Sequence, residues 1–178
     1  MRTPVYLILL GLMLGTVAIV VRSGIFMREN PGEPINAAMR IALTGIAYQW
    51  SEKDAAILAR EFPGALETIG GARYFIRRPG TGDATPKQGQ IVTLYYEGRF
   101  LSNGQKFDSS ADNGGPYNYP VGLNKALPGW DEALLTMKKG ERRTVALPYW
   151  LAYGEKGLRN KVPGKASVVF DLELLDFR

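Results

Sequence analysis

The chain contains no cysteine and no histidine. The first absence removes disulfides, thiol nucleophiles, cysteine metal ligands and lipid attachment through a thiol. The second removes the commonest proton carrier at neutral pH. Most hydrolase mechanisms and most zinc sites are excluded on that ground, and neither a metal nor any other cofactor is expected. A chain without thiols also tolerates an oxidising compartment without mispairing.

What is present describes a folded, turn-rich protein. The 178 residues allow one ordinary core with an appendage. Glycine (21) and proline (11) supply turns, and a hydrophobic fraction of 46% is that of a globular chain. The net charge is +5, but it is scattered. The densest basic stretch, Lys138, Lys139, Arg142 and Arg143, is interrupted by Gly140 and Glu141 and holds no aromatic residue. It reads as a helix end followed by an exposed strand start, and no nucleic-acid partner is expected.

Residues 1–28 are predicted to form a membrane anchor. From Pro4 to Val21 no residue is charged, and as a helix (residues 4–21) this run reaches about 27 Å, close to the hydrocarbon thickness of a bilayer. A cleaved signal has a shorter apolar region, and Val21, Arg22 and Ser23 make a poor small-x-small cleavage site. A single-pass protein touching membrane lipid, with its main domain on the exported (periplasmic or extracytoplasmic) side, is therefore expected. Arg2 on one flank and Arg22 and Arg28 on the other nearly balance in the charge rule for orientation. Gly11 and Gly15 form a G-x-x-x-G pair that would admit a homodimer.

Residues 29–69 read as a linker with short helices. Glu29 to Pro34 is turn-rich, and Ile35, Met39, Ala42, Ile46 and Trp50 then recur at helical spacing. Ser51 and Asp54 offer a cap for a second helix ending before Pro63. The apolar stripe fits packing on the main domain, contact with the membrane surface, or a dimer interface.

Residues 70–178 carry strand patterns at Tyr74 to Arg78, Ile91 to Phe100, Arg142 to Leu147 and Val168 to Asp176. In the last of these Val168, Phe170, Leu172 and Leu174 alternate with positions that include Asp171 and Glu173, which predicts one buried and one wet face. Asn103 and Gly104 suit the positive φ of a tight hairpin that sets Phe107 at a strand start. Leu127 to Gly140 has acids first, lysines last and a closing glycine, the charge order of a helix, with Trp130, Leu134 and Met137 inward. The fold class is α+β, a twisted antiparallel sheet wrapped around one short α-helix.

Five segments, YEG (Tyr96 to Gly98), KFDSS (Lys106 to Ser110), PGWDEAL (Pro128 to Leu134), AYG (Ala152 to Gly154) and VVFDLELL (Val168 to Leu175), resemble FKBP-type peptidyl-prolyl cis-trans isomerases in order and spacing. The resemblance runs from Gly70 to Arg178 and implies an apolar pocket between helix and sheet. It implies catalytic positions at Tyr96, Phe107, Asp108, Trp130, Tyr153 and Phe170, with Trp130 at the floor beneath a substrate proline. Substrate-binding positions are implied at Tyr117, Ala126, Leu127 and Val162, the Leu127 N–H and the Tyr153 hydroxyl holding substrate carbonyls. The implied partners are proline-containing polypeptides and macrolide inhibitors.

Rotation about an X-Pro bond breaks no covalent bond but must overcome amide resonance, a barrier of roughly 20 kcal/mol. The twisted amide is less dipolar than the planar one, so a dry, apolar pocket stabilises it preferentially, without a nucleophile or proton shuttle. Asp108 is assigned to electrostatic positioning. Where many family members carry an arginine, five residues beyond the pocket aspartate, this chain has Asn113, so the usual charge partner of Asp108 and Tyr96 is expected to be missing. Lys161 stands where an aliphatic residue often lines the rim, Leu158 fills a variable rim position, and the Gly98 to Phe107 hairpin is one residue longer. The expected function is a prolyl isomerase assisting protein folding at a membrane; the alternative is a catalytically weak peptide-binding or chaperone module.

Overall fold

Alternation along Val168–Phe177 (β7) sends Val168, Phe170, Leu172 and Leu174 to one face, where all four are fully buried. This strand sits between Arg142–Leu147 (β6) and Ile91–Phe100 (β3). Outward from β6 come Arg73–Arg78 (β2) and Leu66–Glu67 (β1), and outward from β3 comes Lys106–Ser109 (β4). Tyr117–Pro120 (β5) pairs with the opening residues of β3, and every pairing is antiparallel. The α+β sheet and short helix expected from sequence are thus present. The computed structural model describes residues 49–178. The spanning helix over residues 4–21, the Gly11 and Gly15 pair and the stripe from Ile35 to Ile46 lie outside them. Among the described residues no helix is long and apolar enough to cross a membrane.

The sheet's concave face holds the helix Pro128–Leu134 (α2). Leu127 in extended conformation precedes it, and Pro128 opens it where its missing N–H costs nothing. Gly129 lets the helix lie directly on β6, since a Cβ there would run into Leu147. Trp130, Ala133 and Leu134 then enter the main core.

The helix is shorter than its charge pattern predicts. It stops at Leu134, and Thr136 and Met137 turn back on the carbonyls of Ala133 and Leu134. Lys138 and Lys139 lie beyond it and pair with Asp83 and Asp176. The cation that serves the helix end comes from the neighbouring strand: Arg143 donates to the Ala133 carbonyl (3.3 Å) and to Thr136 Oγ1 (2.8 Å). Arg143 is therefore buried, not part of an exposed strand start, although Arg142 is exposed as expected. It pairs with buried Glu141 at 2.6 Å, and its guanidinium lies 4.4 Å from the centroid of the Tyr74 ring.

The β3–β4 turn also differs in detail. Gly104 has φ +69°, but Asn103 acts through its side chain, whose Oδ1 accepts from the Gln105 N–H at 3.0 Å.

The sheet's outer face is partly covered by Glu52–Glu61 (α1). Ser51 caps it as expected, accepting from the Asp54 N–H at 3.1 Å. Ile57 and Leu58 bury against Leu101, Ala146 and Val169, with Trp50 and Phe62 alongside. Asp54 accepts from Ser167 Oγ at 2.9 Å, and Trp50 donates Nε1–H to the Gly71 carbonyl at 3.0 Å. The Trp50 ring meets Trp150 edge-on at 6.0 Å. At Trp50, the one member of the stripe within the described residues, packing on the main domain is what occurs.

Candidate functional site

Six rings from four strands, a helix and a turn converge on the concave side of the sheet. Trp130, near the start of α2, meets Tyr96 of β3 at 4.8 Å and Phe170 of β7 edge-on at 5.0 Å. Phe107 of β4 meets Phe170 at 5.8 Å and Tyr153 at 5.9 Å, both edge-on. Tyr117 of β5 closes the cluster, 6.2 Å from both Trp130 and Tyr96. Edge-to-face contacts of this kind add about 0.5–1.5 kcal/mol per pair beyond burial and fix ring orientation. Trp130 and Phe170 are buried, whereas the other four rings are only partly covered or exposed, so the cluster has a closed floor and an open mouth.

Gly98 explains why the strand motif needs its glycine. It lies opposite Phe170 on one neighbour and Asp108 on the other, and a Cβ there would stand 2.5 Å from Phe170 Cε1 and 2.8 Å from Phe107 Cζ.

Ala126 and Leu127, on the approach to α2, are partly buried against the core, and Val162 is buried on the opposite loop. Val162 and Leu158 exchange backbone hydrogen bonds of 2.8 Å in both directions, which closes that loop at its base.

The polar side of the site centres on Asp108. Its Oδ2 accepts from the Tyr96 hydroxyl (3.1 Å), and its Oδ1 accepts from Asn113 Nδ2 (3.0 Å) and Lys161 Nζ (3.1 Å). Asn113 also donates to the Tyr96 hydroxyl (3.1 Å) and the Ser109 carbonyl (2.9 Å). The missing charge expected from the sequence is thus supplied from elsewhere: Asn113 provides the donor geometry and Lys161 the positive charge. Burial alone would raise the Asp108 pKa, but hydrogen bonds from Asn113, Lys161 and Tyr96 outweigh it and hold the carboxyl below its ordinary range. Tyr96 is pushed up by burial and by the Asp108 charge, against an opposing hydrogen bond from Asn113. Burial, with Asp108 and Tyr96 adding, likewise raises Tyr153, whose hydroxyl has no hydrogen-bond partner among the described residues.

One ring at this site escaped the sequence reading. Tyr119 lies 6.3 Å from Trp130 and stacks on Tyr117 at 5.6 Å. Its hydroxyl donates to buried Asp131 at 3.0 Å, and Asp131 also accepts from the Asn124 N–H at 3.0 Å. The spacing of two from Tyr117 was its available signal, since alternate strand residues share a face.

Two open grooves, of about 290 and 450 Å³, lie on the outer face of the sheet. Arg77, Arg99 and Arg142 contribute to them, but Asp171 pairs with Arg99 and Glu173 with neighbouring Arg78, giving a face of mixed charge.

The family profile described as FKBP-type peptidyl-prolyl cis-trans isomerase matches residues 82–175. The chain is 42% identical over 110 residues to FK506-binding protein 1 of Candida glabrata, covering 61% of this chain and 96% of that one. It is 41% identical over 97 residues to FK506-binding protein 1 of Saccharomyces cerevisiae (54% and 84% covered). It is 38% identical over 105 residues to FK506-binding protein 2 of Dictyostelium discoideum (59% and 76% covered). With a sheet curved around a short helix, a ring-lined cradle between them and a sequence match spanning both, the chain belongs to the FKBP-type peptidyl-prolyl cis-trans isomerases.

Proposed function

We propose that X-Pro bonds turn in the six-ring cradle, with the proline against Trp130 and the amide beside Tyr96, Asp108 and Phe107. The observation that carries this reading is the edge-to-face contact that links all six rings, beside a carboxylate already satisfied by three donors. A carboxylate so occupied is a weak proton acceptor, which suits a reaction that transfers no proton. The rings stabilise the twisted amide over the planar one, and the Tyr153 hydroxyl and Leu127 N–H hold the flanking carbonyls. Asn113 and Lys161 do not favour a catalytically weak peptide-binding or chaperone module, because the two residues complete the Asp108 network. The yeast relatives are named for binding FK506, and that name supports extending the reading to FK506 as a ligand of this chain.

We place this activity at a membrane, on the exported side, on the strength of the uncharged run over residues 4–21. Tethering would raise the local concentration of the isomerase near emerging chains. A reporter fused at the C-terminus, active only when exported, tests the sidedness.

The catalytic reading is tested by exchange spectroscopy on a proline peptide. Trp130→Ala and Phe107→Ala each remove a ring worth about 1–3 kcal/mol of contact, so kcat/KM should fall about 10- to 100-fold. Wild-type rates equal to the uncatalysed rate would defeat the reading.

The pH profile follows from the same groups. Asp108 has its folded pKa depressed, so its contribution is complete above the ordinary carboxylate value and is lost only as pH falls through the lowered one. Tyr96 and Tyr153 are raised and stay protonated past their ordinary range. With no histidine in the chain, kcat/KM should be flat from about pH 5 to about pH 9. A bell centred near neutrality would show a proton carrier in the mechanism.

A further inference from the structure

We propose that the loop of residues 154–165 makes this isomerase select X-Pro bonds in which X is acidic, with Lys161 as the specificity-determining residue; the inference rests on the six-ring cradle being where the bond turns. Between residues 155 and 165 stand Lys156, Arg159, Lys161 and Lys165 against the single carboxylate of Glu155. That net of +3 is more than half of the chain's +5. Glu155 is engaged by Lys165 at 3.6 Å, and among the described residues Lys156 and Arg159 have no carboxylate partner.

The loop holds these charges in place. Leu158 and Val162 bond each other in both directions, Lys165 N–H donates to the Gly154 carbonyl at 3.0 Å, and Asn160 turns the tip with φ +61°. Gly157 and Gly164 are packed so closely that an added Cβ would strike the Val162 and Glu155 carbonyls. A fixed backbone leaves only side-chain freedom to be lost when a cation engages a ligand.

Lys161 is the cation nearest the chemistry. Its side chain is 47% exposed, and its Nζ reaches Asp108 at 3.1 Å, beside the Tyr96 hydroxyl. An ammonium has three N–H donors, and Asp108 takes one. The remaining two have no partner among the described residues. The rotating carbonyl belongs to the residue before proline, and in the pose proposed above, with the ring on Trp130 and the amide beside Tyr96 and Asp108, the side chain of that residue lies next to Asp108. Consecutive Cα atoms are about 3.8 Å apart, which brings a glutamate carboxylate within reach of Lys161. A lysine in the same place finds the Asp108 carboxylate already occupied by three donors and meets the Lys161 ammonium.

At a half-exposed site such a contact changes kcat/KM by about two- to fivefold between acidic and basic X, and salt screens it. The test uses the full-length chain and acetylated, amidated Ala-X-Pro-Phe peptides with X as Glu, Leu or Lys, followed by exchange spectroscopy. Expected is the order Glu, Leu, Lys, with the Glu-to-Lys ratio collapsing toward one in about 0.5 M salt and in Lys161→Met, and narrowing in Arg159→Ala. A wild-type ratio of one, or a ratio unmoved by Lys161→Met, overturns the proposal while leaving the isomerase reading intact. Absence of turnover on all three peptides defeats that reading itself.

Discussion

Gly98→Ala is expected to lower kcat/KM about a hundredfold while leaving the domain folded. The added methyl would stand 2.5 Å from Phe170 Cε1 and 2.8 Å from Phe107 Cζ, so both rings must move by about an ångström. Two effects oppose each other. Alanine in place of glycine inside a strand lowers the entropy of the unfolded chain, which favours folding by about 0.5–1 kcal/mol. Forcing a methyl into a filled core costs about 1–3 kcal/mol, so the clash wins and stability falls modestly. Activity suffers more, because the displaced rings are the ones proposed to cradle the amide. Exchange spectroscopy reads the rate and urea unfolding reads the stability. Adding Phe107→Leu should recover stability without recovering rate. Full activity in Gly98→Ala would mean that the placement of Phe107 and Phe170 does not govern catalysis.

Glu141→Ala is expected to destabilise the fold by about 3–5 kcal/mol, because it strands a buried charge. Arg143 and Glu141 are 3% and 4% exposed, and they meet at 2.6 Å. Glu141 also accepts from the Lys138 N–H at 3.0 Å, so its loss leaves a second donor unmet. Arg143 keeps Thr136, the Ala133 carbonyl and the face of Tyr74, which are neutral partners for a full positive charge. A domain stable by about 5–15 kcal/mol loses a large part of that margin. Urea denaturation of Glu141→Ala beside the double variant Glu141→Met with Arg143→Met separates two causes. If the unpaired charge is the cost, the double variant is the more stable of the two. The reverse order would assign the effect to lost contacts.

The strands were legible because their signals are local. Alternation over Val168 to Leu174 fixes which side is buried, and glycine and proline clusters mark the ends of Ile91–Phe100 and Arg142–Leu147. Strand β5 was not, since four residues between Pro116 and Val121 give too little alternation to register. The end of α2 was misread because Lys138 and Lys139 have the sign a helix end prefers. The residue that serves it, Arg143, arrives from a strand, and in the sequence it stands in a basic run that looks solvated. The six rings of the site were readable through the motif order, whereas the charge partner of Asp108 was not. Lys161 lies 53 residues away, and no spacing rule connects a strand residue to a loop that distant. The same limit hid the seat of α1: helical periodicity shows which face is apolar but not what it rests on.

That seat has a practical side for anyone excising the catalytic portion. Starting the chain at Gly70, where the motif resemblance begins, would strip Ile57 and Leu58 from Leu101, Ala146 and Val169 and leave a greasy strip of sheet facing water. Such a fragment would be prone to clumping at the concentrations crystallisation demands, whereas one that opens ahead of Trp50 brings its own lid for that strip.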